Sequence, residues 1–63
     1  MMKKYEIGDK VQIHNGPHQG KVGIVESFIW IDSIMGDYLE RFYKVKLEND
    51  RSISFFEYQV QPS

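Results

Sequence analysis

The amino-acid sequence predicts an all-β domain, a small antiparallel barrel of five strands. Apolar and polar residues alternate with a period of two in three separate segments. Clusters of Gly, Pro, Asn and Asp punctuate those segments where turns are needed. No window shows a 3.6-residue apolar stripe flanked by helix caps. The 63 residues make one domain, spanning 1–63. A chain this short buries only about 60% of its unfolded surface. Closing the sheet on itself, so that no strand edge is left open, suits such a chain.

The elements follow in order. In Lys10-Val11-Gln12-Ile13-His14, Val11 and Ile13 share one face. The turn Asn15-Gly16-Pro17-His18-Gln19-Gly20 comes next. From Lys21 to Ile31 the parity changes: Val22, Ile24, Phe28 and Trp30 share one side, Val25, Ile29 and Ile31 the other. A strand that changes faces needs a bulge, expected at Glu26-Ser27. Trp30 is expected in the core, because so small a core has few large fillers. A long mobile loop is expected over 32–40.

In Tyr43-Lys44-Val45-Lys46-Leu47 the apolar face is Tyr43, Val45 and Leu47, and in Ser52-Ile53-Ser54-Phe55 it is Ile53 and Phe55. The turn at Asn49-Asp50-Arg51 must have an odd length, since an even loop would oppose Val45 to a serine. The register expected is Glu48 with Ser52, Leu47 with Ile53 and Val45 with Phe55. The tail from Glu57 to Pro62 predicts one 3-10 turn near 57–59 and a short closing strand. Residues 1–4 are expected to be a loose N-terminus, with Lys3 and Lys4 solvated. Asp9, between Gly8 and a strand, is expected to accept nearby backbone N–H groups.

Two stretches resemble the KOW family of SH3-like barrels. Ile7-Gly8-Asp9-Lys10-Val11 is similar to the family's opening, an apolar residue followed by Gly-Asp-x-Val. Gly16-Pro17-His18-Gln19-Gly20, then Val22-Gly23-Ile24-Val25, is similar to its Gly-Pro-aromatic-x-Gly loop and the glycine and valine beyond. His18 departs from the aromatic or apolar residue common there. The resemblance implies an SH3-like barrel that binds protein or RNA with its loops and an exposed strand. The chain also resembles short stand-alone SH3-like proteins of bacilli and their phages, which implies a bacterial or prophage setting. Its late strand and Phe-rich closing segment loosely resemble small SH3-like subunits of electron-transfer complexes, which implies an accessory subunit as a further alternative.

The chemistry in the residues points away from catalysis. There is no cysteine, and the two histidines, His14 and His18, flank a Gly-Pro turn without a metal-binding motif. Gly16 to Lys21 is not a phosphate loop, because Val22 stands where Ser or Thr is required. No paired-carboxylate or nucleophile–base set is visible. The expectation is a non-enzyme with no cofactor and no metal. Eight basic residues against nine acidic ones give a net charge of −1, which disfavours a dedicated nucleic-acid binder. The longest apolar run, Phe28 to Ile31, is too short to span a bilayer. A cytoplasmic monomer with no membrane association is expected.

The candidate contact residues form two groups. The first is the loop Asn15, Gly16, Pro17, His18 and Gln19. The second is the outward side of the late strands: Phe42, Lys44, Lys46, Phe56 and Tyr58. Aromatics and lysines so arranged can anchor a protein partner, or stack a base and meet a phosphate. The competing expectation is that Ile34, Met35 or Leu39 folds over Phe42 and Phe56 as a satellite core. The leading expectation is a protein–protein interaction module. RNA or single-stranded nucleic acid is the alternative.

Overall fold

The computed structural model describes residues 4–33 and 35–63. Five antiparallel strands form one sheet: β1 (Lys10–Ile13), β2 (Val22–Asp32), β3 (Leu39–Leu47), β4 (Ser52–Phe56) and β5 (Val60–Pro62). A 3-10 turn, Glu57–Gln59, joins β4 to β5. The strand order is β4-β3-β2-β1-β5. The five strands and the 3-10 turn are as expected, but the ladder does not close: β4 and β5 are its two edges, and the 3-10 turn carries the chain from one to the other.

The bulge in β2 organises the sheet. Val25 pairs with Val45, but Ser27 pairs with Lys44, so Glu26 is the extra residue. It switches parity as expected. Val25 faces inward before it, and Phe28, opposite Tyr43, faces inward after it. The core is Tyr5, Val11, Ile13, Val25, Tyr43, Val45, Leu47, Phe55 and Val60, with Phe28 and Ile53 packed against it. Gly23 lets β2 and β3 approach, for a Cβ there would lie 2.5 Å from the Lys46 carbonyl oxygen.

Trp30 is not in the core; it is 53% exposed. Its parity is inward, but β2 and β3 outrun their neighbours, so among the described residues no strand faces it. β1 pairs with β2 only as far as Ile24, and β4 with β3 only as far as Phe42. The largest fully buried side chain is Tyr43 instead.

The β3–β4 turn has the odd length expected, but its register is shifted by two residues. Val45 pairs with Ile53, Tyr43 with Phe55 and Lys46 with Ser52. The loop is Glu48-Asn49-Asp50, with Leu47 accepting from Asp50 N–H and donating to the Arg51 carbonyl. Asp50 takes the left-handed position, φ 65°, that ends such a three-residue loop. A shift of two keeps every side chain on its face, which is why alternation alone does not distinguish the two registers.

The connection between β2 and β3 is also shorter than expected. Asp32 belongs to β2, and Leu39 and Glu40 belong to β3, leaving 33–38. Met35 (79% exposed) and Leu39 (58% exposed) cover nothing; Ile34 lies outside the described residues. At the N-terminus, residues 1–3 lie outside the described residues, but Lys4 is tied down. Its Nζ lies 3.3 Å from Glu57 Oε1 and 5.6 Å from the Trp30 ring centre. Asp9 caps its turn as expected, accepting the Glu6 N–H at 2.9 Å.

Candidate functional site

Cross-strand pairing arranges the outer face of β2, β3 and β4 in rows. Ile29 pairs with Phe42, and Phe42 with Phe56. The Phe42 and Phe56 rings are 5.0 Å apart, and Tyr58 stacks on Phe56 at 5.7 Å and 15°. An apolar row therefore crosses three strands and ends on the 3-10 turn. Ile29 is 59% exposed and Tyr58 47% exposed, while Phe42 and Phe56 are half-buried between them. The next row is polar: Ser27, Lys44 and Ser54. Beyond it lie Lys10, Ile24, Lys46 and Ser52. Lys44 is exposed and makes no ion pair among the described residues. Lys46 is 3.8 Å from Asp50.

The structure thus brings Phe42, Lys44, Lys46, Phe56 and Tyr58 onto one surface. Ile29 was not among the expected contacts. Its signal was the bulge: a parity switch at Glu26 sends Ile29 and Ile31 outward, beside Phe42 and Glu40.

The 15–19 loop lies at the side of this face, next to the 3-10 turn. Gln59 joins the two: its carbonyl accepts the His14 N–H, its Oε1 accepts the Phe56 N–H at 2.9 Å, and its Nε2 lies 3.6 Å from where a Gly16 Cβ would be. Pro17 and Gln19 are exposed, and Asn15 is half-buried. His18 turns toward the core, its ring edge-on to Phe55 at 5.9 Å.

A charged cluster supports the face from within. The buried Glu57 accepts the Arg41 N–H at 3.1 Å. The Arg41 guanidinium donates to the Tyr5 carbonyl at 2.7 Å, lies 4.2 Å from the Phe28 ring centre and 3.6 Å from Glu6. Glu57 thus fills the place where β4 would have continued beside β3, and the chain turns there so that Tyr58 stacks on Phe56. Glu40, on the outer side of β3, is buried, and its Oε1 has no hydrogen-bond partner among the described residues.

At the other end, an open groove of about 370 Å³ runs between Gly20, Lys21 and Val22 on one side and Leu47, Glu48 and Asn49 on the other. Its charges are mixed, and its walls lack aromatics. Among the described residues, no three His, Asp or Glu side chains gather as a metal site would require, and no helix is long and apolar enough to cross a membrane. Compared with family models, curated proteins and solved structures, the chain matches none.

Proposed function

We propose that this chain is a non-catalytic binding module, of the SH3-like KOW type its two motifs resemble, that docks another protein on the outer face of β2, β3 and β4. The observation that supports this most is the row Ile29–Phe42–Phe56–Tyr58. Its two ends are exposed, its aromatics already pack against one another, and no loop covers it among the described residues. Rigid aromatics cost little ordering entropy when a partner arrives. Lys44, beside the row, favours a partner with an acidic residue next to its apolar anchor. Net charge and the pairing of Lys46 with Asp50 weigh against a phosphate backbone as the main guest.

The test is a random-peptide display library panned against the protein and against Phe42→Ser and Tyr58→Ser variants that melt cooperatively. The expected result is enrichment of peptides with an aromatic or aliphatic anchor and an acidic neighbour, lost in both variants. Enrichment unaffected by either variant overturns the site. A second arm titrates a random single-stranded oligonucleotide at low salt. Tight binding there, weakening steeply with salt, overturns the protein reading in favour of nucleic acid.

A further inference from the structure

The outer half of β2 is a sheet edge guarded only at its ends, by the bulge at Glu26 and by Asp32. On the side of β2 away from β3, Val25 still bonds to Gly8 and Asp9, and beyond it no strand lies there among the described residues. Ser33 donates its N–H to the Tyr38 carbonyl on the β3 side. By alternation Ile31 and Ile29 also bond toward β3, and Phe28, Trp30 and Asp32 turn their N–H and C=O groups to the open edge. Natural edges are guarded by charges, prolines or bulges. The run Ser27-Phe28-Ile29-Trp30-Ile31 has none of these.

We infer that this edge pairs with the same edge of a second copy, antiparallel, with Trp30 on the two-fold axis. Antiparallel pairing of one segment with itself is isologous, so the strand is its own complement. The register is set by the free groups. Trp30 exchanges both hydrogen bonds with the other Trp30, and Phe28 pairs with Asp32 of the second copy. All three edge-facing residues are then satisfied. Ile29 comes opposite Ile31 of the second copy, which lengthens the outer apolar row.

Charge agrees with this register. Glu26 and Asp32, the acidic residues that flank the run, oppose no acid. Asp32 makes no ion pair among the described residues. Its side chain shares a face with Trp30 and comes diagonally beside the second copy's Trp30, over which that copy's Lys4 sits, 5.6 Å from the ring centre. Five residues of strand from each copy are a small interface, below the roughly 800 Å² per partner of a standard complex. A dimer in rapid exchange, with a dissociation constant on the order of micromolar, is expected.

This inference goes beyond the docking site: it rests on the backbone edge of β2 and on Trp30 and shares only Ile29 with the docking row, so variants at Trp30 and Asp32 and variants at Phe42 and Tyr58 separate the two. Sedimentation of the full chain over a concentration series up to roughly 1 mM reads the mass, with 7.5 kDa for one copy. Trp30, the single tryptophan, reports independently, since its emission shifts to the blue as the axis forms. Asp32→Pro removes a donor that faces only the open edge, so the monomer keeps its ladder. Trp30→Lys opposes two like charges at the axis.

The expected result is a monomer–dimer equilibrium whose dissociation constant rises about tenfold or more in each variant, while both still melt cooperatively and still bind the peptides selected above. A monomer throughout the series overturns the inference. So does a dimer that neither variant weakens, or one that only Phe42→Ser or Tyr58→Ser disrupts.

Discussion

The hydroxyl of Tyr43 accepts the backbone N–H of Tyr5 at 2.9 Å, across 38 positions of sequence. The rings meet edge to face at 5.8 Å. Arg41, two residues before Tyr43, donates to the carbonyl of the same Tyr5 at 2.7 Å. Tyr5 belongs to no strand, yet both its backbone groups are held by side chains of β3. Those bonds bring the chain before β1 across the inner face and let Tyr5 complete the core.

Replacing Tyr43 by Phe keeps the ring and removes the acceptor. The buried hydrogen bond from the Tyr5 N–H to that hydroxyl is lost, at a cost of about 1–3 kcal/mol. In a domain of this size each kcal/mol lowers the melting temperature by about 4–8 °C. Thermal denaturation measures the loss, and amide exchange at Tyr5 locates it. An unchanged melting temperature would mean that the hydroxyl contributes nothing to holding the segment.

Gly23 is the position least able to accept a side chain. A Cβ there meets the Lys46 carbonyl oxygen at 2.5 Å and Val45 Cγ1 at 2.7 Å. The oxygen belongs to the backbone of the paired strand, so relief requires β2 and β3 to separate. Gly23→Ala is expected to cost about 3 kcal/mol, the upper end for overpacking. Urea denaturation should show a lower midpoint with an unchanged slope, since both states expose the same surface. A midpoint within error of the parent would show that the two strands can part freely.

Alternation made the inward faces of β1, β3 and β4 legible, and the doubled parity of 21–31 located the bulge at Glu26. Three things were not legible, each for a physical reason. Trp30 has the inward parity of a core residue, but parity does not say where neighbouring strands stop. The β3–β4 register was off by two because slips of two preserve both faces. Lys4 read as a solvated end because its partners, Glu57 and Trp30, are remote in sequence. The candidate site was half legible for the same reason. Phe42, Phe56 and Tyr58 follow from alternation near one turn, whereas Ile29 joins them only through the β2–β3 pairing.

The β3–β4 turn yields its own test. Asp50 occupies the left-handed region at φ 65°, where glycine is at ease and other residues are not. Asp50→Gly relieves that cost while making the unfolded chain more flexible, for a net gain of about 0.5 kcal/mol. It also removes the exposed pair with Lys46, which is worth little. Asp50→Val places a β-branched residue in the same region and is expected to lose about 1–2 kcal/mol. Urea midpoints for the two variants should move in opposite directions. If both fall, the loop does not depend on a left-handed residue at 50.

Alkaline stability gives the last prediction. Burial pushes the Tyr5 phenol above its ordinary value of 10.0, and the neighbouring Tyr43 and Asp9 push it the same way. The folded protein therefore holds this proton more tightly than the unfolded chain. Below pH 10 both states are protonated and the full contribution is present. As pH rises past 10 the unfolded chain releases its proton first, and stability falls until the folded phenol also titrates. Tyr5→Phe removes that linkage. Urea midpoints taken from about pH 8 to pH 11.5 should therefore fall more steeply for the parent than for the variant, because groups titrating elsewhere contribute equally to both. Parallel slopes would show that Tyr5 ionises as readily in the folded protein as in the unfolded chain, and that its ring is less enclosed against Tyr43 than their edge-to-face contact implies.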